Sequence, residues 1–80
     1  MSAAIRDDIS LLESAVAIAF DFLQRTGEID EEIEACHFLA NKVGFMMAKG
    51  ERNRLLLANR AITAFQRCQE ARRAELELAS

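Results

Sequence analysis

Proline, tryptophan and tyrosine are absent from this 80-residue chain, and it has only three glycines, two cysteines and one histidine. The lack of proline removes the strongest helix breaker. With half the residues apolar and over a quarter charged, the composition is that of a folded helical chain and not of a disordered one. One histidine and an abundance of helix-surface carboxylates are not a constellation, so no Ser-His-Asp set can be argued. Glycine-rich phosphate loops, HExxH and paired CxxC motifs are all missing, so no enzyme activity, cofactor or small-molecule substrate is inferred. The longest uninterrupted apolar run, Ala15 to Phe20, is far short of the roughly 20 residues that a membrane span needs. The opening MSAAIRDDIS lacks a basic region followed by an apolar run, so no signal peptide is expected. Two cysteines and no export signal point to a reducing cytoplasmic setting, with thiols favoured over a disulfide.

What is present organises itself around the stretch from Asp30 to Lys49, DEEIEACHFLANKVGFMMAK, which carries the histidine, one cysteine and more apolar residues than one buried helix face uses. At about 100° per residue, Ile29, Ile33, Cys36, Leu39, Ala40, Val43, Met46 and Met47 form an arc expected to face the core. Phe38 and Phe45, seven apart, fall on one line roughly opposite that arc, near Lys42 and Asn41. Paired large apolar side chains on a charged face mark a contact surface.

Before this stretch the sequence predicts a helix over about 4–25, because Ile5 and Ile9 already keep helical phase; Ser2, or Ser10 with Glu13 in capping-box spacing, offers a start. Its apolar residues, among them Leu11, Leu12, Val16, Ile18, Phe20, Phe22 and Leu23, sweep roughly 200°, about twice the usual core stripe. One neighbouring helix cannot cover so wide an arc, and Asp8 is the one charge within it. Thr26-Gly27 supplies a stop, since glycine takes up the left-handed conformation that closes a helix. Asp30 is the expected cap of a second helix over about 30–49, with Glu31, Glu32 and Glu34 complementing its positive end. Gly50 repeats the stop and Asn53 is placed to cap a third helix over about 54–78; the alternative is one continuous long helix, since a glycine within a helix costs only about 1 kcal/mol. The core arc of that helix runs through Leu55, Leu57, Ala58, Ala61, Ile62, Ala64, Phe65, Cys68 and Ala71. Apolar coverage then fades, so residues 73–80 are expected to project as a solvated, fraying end.

These elements make one all-α domain over 1–80: three antiparallel helices in a small bundle, completed by homodimerisation. A chain this short buries only somewhat more than about 60% of its unfolded surface, which makes self-association an ordinary route to stability. The interface candidates are Phe38, Phe45, Lys42, Phe20, Leu11, Ile18 and Phe22. If the second turn centres near Glu51 and Arg52, residues whose numbers sum to about 103 share a level, since both helices rise equally per residue. Cys36 and Cys68 then lie close together, as buried reduced thiols or as a thiol pair capable of a disulfide, the latter requiring a close Cα approach. A zinc site from Cys36, His37 and Cys68 is not expected, because adjacent helical residues point about 100° apart and no fourth ligand is evident.

The run His37-Phe38-Leu39-Ala40-Asn41 resembles the histidine-x-x-x-threonine/asparagine spacing of histidine-kinase dimerisation hairpins, which are homodimeric four-helix bundles. That resemblance covers five residues and matches two. Phe38 stands where the family has an acidic residue, and no proline follows. It implies a phosphoacceptor role for His37 as an alternative function. Charge offers a further alternative: residues 1–40 hold two basic against nine acidic side chains (net −7), and residues 41–80 hold eight against four (net +4). Such halves suit helices that pack on one another. Nucleic-acid binding through the third helix is disfavoured: Arg60 and Arg67 share a face without Arg54 or Arg72, no aromatic is interleaved, and the net charge is −3. The expected function is therefore a cytoplasmic protein-protein interaction module of a regulatory or adaptor type, without catalysis, whose partners are itself and a further protein, with no membrane.

Overall fold

A computed structural model gives three helices, α1 (Ser2–Arg25), α2 (Glu32–Ala48) and α3 (Arg54–Ala79), each packed against the other two. The structure describes the backbone of residues 2–79 and the side chains of residues 7–78. Among these, no strand occurs and no helix is long and apolar enough to cross a membrane. The side chains of Ser2 and Ile5, invoked above for the start of the first helix, lie outside the described residues, as does Ser80.

Both glycine stops are used. Gly27 has φ 74° and Gly50 has φ 104°, values that an L side chain rarely adopts. Around Gly27 the Glu28 N–H donates to the Leu23 carbonyl (2.9 Å) and the Gly27 N–H to Gln24 (3.1 Å). Around Gly50 the Glu51 N–H reaches Met46 (3.1 Å) and the Gly50 N–H reaches Met47 (2.9 Å). These paired bonds satisfy carbonyls that a helix end otherwise leaves open. Thr26 reinforces the first stop by donating its hydroxyl to the Leu23 carbonyl at 3.1 Å. Gly50 thus ends α2 outright.

The starts divide differently. Asn53 caps α3, its Oδ1 accepting the Leu56 N–H at 3.0 Å, as side-chain oxygens do at this position. The cap of α2 is Glu31, in extended conformation and without a side-chain bond, and not Asp30. Negative charge from Glu32 and Glu34 in the first turn complements the helix dipole there in place of a cap.

The core consists of Ala15, Ala19 and Leu23 from α1, Ala35, Leu39 and Val43 from α2, and Leu57, Ala58, Ala61 and Phe65 from α3. Half of these ten are alanines, and Leu23, Leu39, Val43, Leu57 and Phe65 supply the bulk of the core. Two arcs depart from expectation. Ile33 is 73% exposed and Cys36 is also exposed, whereas Phe38 is half-buried and meets Phe65 edge to face, centroids 5.7 Å apart at 77°. The α2 helix is therefore turned by roughly 60° from the phase read off its apolar residues. The line that both neighbours touch runs through Ala35, Leu39 and Val43, which carries Phe38 inward towards α3 and leaves Ile33 and Cys36 outside. In α3, Leu55 is 63% exposed and not part of the core.

Two polar ties fix the ends. Asp8 pairs with Arg52, joining the early part of α1 to the residues just before α3. The turn after α1 is held to α3 by Gln66 Nε2 donating to Glu28 Oε2 and Gln69 Nε2 donating to the Glu28 carbonyl, both at 3.3 Å. Beyond these, α3 remains helical to Ala79 with every side chain from Glu70 to Leu78 exposed. The result is a rod of 53 × 24 × 19 Å with a radius of gyration of 14.0 Å, against about 11.6 Å for a compact chain of this length.

Candidate interaction surfaces

Among the described residues, apolar side chains outside the core gather on three surfaces, and Ile9, Leu55, Leu76 and Leu78 are exposed as well. The first is a shallow, open groove between α1 and α2, in two lobes of about 330 and 370 Å³ that share Phe20 and Cys36. Leu12, Val16, Ala17 and Ala40 line one lobe and Ile33 the other. Glu13, Glu32 and His37 are its only charged or titratable side chains apart from Cys36. Its existence follows from residue size: Ala17, Cys36 and Ala40 fill little space between the larger Phe20 and Ile33. Sequence reading assigned Ile33, Cys36 and Ala40 to the core, and only the rotation of α2 moves them here.

The second surface is the line Leu11, Ile18 and Phe22 on α1. At about 100° per residue it lies well over 100° around the helix from Val16 and Phe20, so the wide arc of α1 divides into two flanks. Ile18 and Phe22 are 36% and 45% exposed, and Leu11 is half-buried. The third is Phe45, 60% exposed, with the Lys49 ammonium 4.4 Å from its ring centroid. Such a cation partly covers an aromatic face. Phe38 does not join Phe45 on an outer face: it packs on the core, and Lys42 stands 5.6 Å from its ring.

A cleft of about 360 Å³ with a mixed lining lies between α2 and α3, with Ala35, Phe38 and Phe65 among its walls, Asp30, Glu31 and Glu34 along one side and Arg72 on the other. Cys68 lines this cleft and Cys36 lines the groove, and both are free thiols. The expectation that both sit on core faces fails at Cys36, because the turn of α2 points it towards the α1 side. His37 is exposed on the ridge between groove and cleft and lines both. Arg60 and Arg67 flank a shallow depression with Asn59, Thr63 and Ala64 on the outer side of α3. Among the described residues no three His, Cys, Asp or Glu side chains are grouped to hold a metal ion. Comparison with protein-family models, with curated proteins and with solved structures finds no match to this chain.

Proposed function

We propose that this protein is a non-catalytic association module that works as a helical homodimer in a regulatory or adaptor role. The observation that carries this reading is the number of large apolar side chains the three helices leave outside their core. Leu23, Leu39, Val43, Leu57 and Phe65 are buried with five alanines, while Ile9, Ile18, Phe22, Ile33, Phe45 and Leu55 stand exposed. Those six forgo burial that stabilises at about 25 cal/mol per Å² of apolar surface, and a partner chain can supply it.

The helices are read as running up, down and up. Support comes from the polar ties: Asp8 meets Arg52 at one end and Glu28 meets Gln66 and Gln69 at the other. The 1–80 span is read as one domain on the strength of its single core. The cytoplasm suits two unpaired thiols, one of them exposed.

Sedimentation equilibrium tests the reading directly. The expected mass is twice 9.0 kDa, falling towards the single-chain value only on dilution. A mass of one chain throughout the micromolar to millimolar range overturns it.

A further inference from the structure

The two turns of this bundle differ in what would happen if each were straightened. At about 100° per residue, the buried line of α2 (Ala35, Leu39, Val43) and that of α3 (Leu57, Ala58, Ala61, Phe65) point within about 60° of each other. Run together as one helix, they would make a single apolar stripe, since a core face is about 100° wide or more. The buried line of α1 (Ala15, Ala19, Leu23) points roughly 160° away from that of α2. A helix carried through the first turn would thus show apolar lines on opposite sides. That turn is also fastened, because Ile29 packs on the core and Glu28 is bonded to Gln66 and Gln69 of α3. The second turn, Lys49 to Asn53, places no apolar side chain against the core, and its tie to α1 is the pair of Arg52 with Asp8. Only this turn is free to straighten.

We infer that the second turn is a hinge and that two copies of this chain pair by exchanging α3, the α3 of each packing on the α1 and α2 of the other. This rests on the self-association reading and names its route. The contacts of the exchanged bodies are those already made within one chain, Phe38 against Phe65 included, because the element traded is identical. Levels are kept as well. Residues of α2 and α3 that share a level sum to about 103, and two continuous helices crossing antiparallel near Glu51 and Arg52 keep that sum between copies. Phe45 and Leu55, 60% and 63% exposed, flank the turn, and Ile9 follows the Asp8 that pairs with Arg52. These three exposed side chains therefore stand at the end where the two bodies meet. Opening gives up the bonds of the closed turn, Glu51 N–H to Met46, Gly50 N–H to Met47 and the Asn53 cap. A continuous helix replaces them with its own backbone bonds, and the chain has no proline to prevent it. Because little else changes, protein concentration decides between the two forms.

The test uses substitutions that push the turn in opposite directions. Arg54 is the first residue of α3, where proline is accepted because the missing N–H has no partner in the helix. Inside a continuous helix the same proline removes a bond and clashes with the preceding turn. Arg54→Pro should therefore weaken the dimer at least about a hundredfold and leave the single chain helical. Asn53→Ala removes the cap of the closed form and suits the open helix, so it should raise the dimer fraction at equal concentration. Gly50→Ala acts likewise, since φ 104° belongs to the closed turn; its cost falls on the dilute single chain. Sedimentation equilibrium reads the mass and far-UV circular dichroism the helicity. A second measurement reads the exchange itself. Glu34 and Cys68 line one cleft between α2 and α3, so a short bismaleimide should bridge them in the Glu34→Cys, Cys36→Ser chain. On a denaturing gel the bridged dimer fraction should run as two chains and the bridged monomer fraction as one. A dimer whose bridge stays within one chain, or whose affinity Arg54→Pro leaves unchanged, overturns the exchange and leaves self-association standing. A wild-type chain that is monomeric throughout the micromolar to millimolar range overturns both.

Discussion

Phe38 and Phe45 are the same residue type, seven apart on one line of α2, and their different neighbours give them different fates under truncation: Phe38 meets the Phe65 ring of α3, and Phe45 stands exposed beside Lys49. Removing a buried phenylalanine to alanine costs about 3–5 kcal/mol. Phe38 is half-buried, but it also loses an edge-to-face partner in Phe65, a contact that adds about 0.5–1.5 kcal/mol beyond area. A loss of about 2–3 kcal/mol is therefore expected for Phe38→Ala. Phe45 is 60% exposed and its main contact is the Lys49 ammonium. That contact is worth about 0.5–1 kcal/mol at an exposed site, and alanine's higher helix propensity offsets roughly half a kcal/mol of it. The net for Phe45→Ala is within about 0.5 kcal/mol of zero. Urea unfolding followed by circular dichroism at one fixed protein concentration reads the contrast, since any dimer makes the midpoint concentration-dependent. The m-value should be unchanged and the midpoint should fall for Phe38→Ala alone. In a thermal scan the loss at Phe38 corresponds to roughly 8–24 °C for a domain of this size. Equal effects at the two positions, or a larger one at Phe45, would refute the packing of α2 described here.

Other expectations follow from the helix ends. Gly50→Ala meets no atom within 4 Å of the new Cβ, so its whole effect comes from a backbone at φ 104°. It should cost about 1–2 kcal/mol, read as a lower urea midpoint; an unchanged midpoint would mean that the α2 stop relaxes without strain. Deleting residues 71–80 removes side chains that are exposed from Ala71 to Leu78. The truncated chain should melt within a few degrees of the full one while losing helical signal in proportion to length, and a collapse in melting temperature would show that the projecting end has a tertiary role.

How far the sequence reached can be traced through particular residues. Thr26-Gly27, Gly50 and Asn53 were legible because each acts locally: a positive φ or a side-chain cap depends on its immediate neighbours and not on what packs against the helix. Three helices and their approximate limits follow from those signals. The level shared by residues summing to about 103 also came from helix rise, and Phe38 and Phe65 meet there. The breadth of α1 was legible too, as an arc too wide for one neighbour.

The face that α2 turns inward was not legible, and the candidate surface depends on it. Ile33, Cys36 and Ala40 on one side and Phe38 and Phe45 on the other make this helix apolar nearly all round, so its periodicity favours no single direction. Contact with Phe65 on one flank and with the alanines of α1 on the other selects the rotation that exposes Ile33 and buries Phe38. The chain's own chemistry thus determined where helices begin and end. Only packing among all three decided which apolar side chains were left over, because burial is a property of neighbours that a residue's local sequence does not contain.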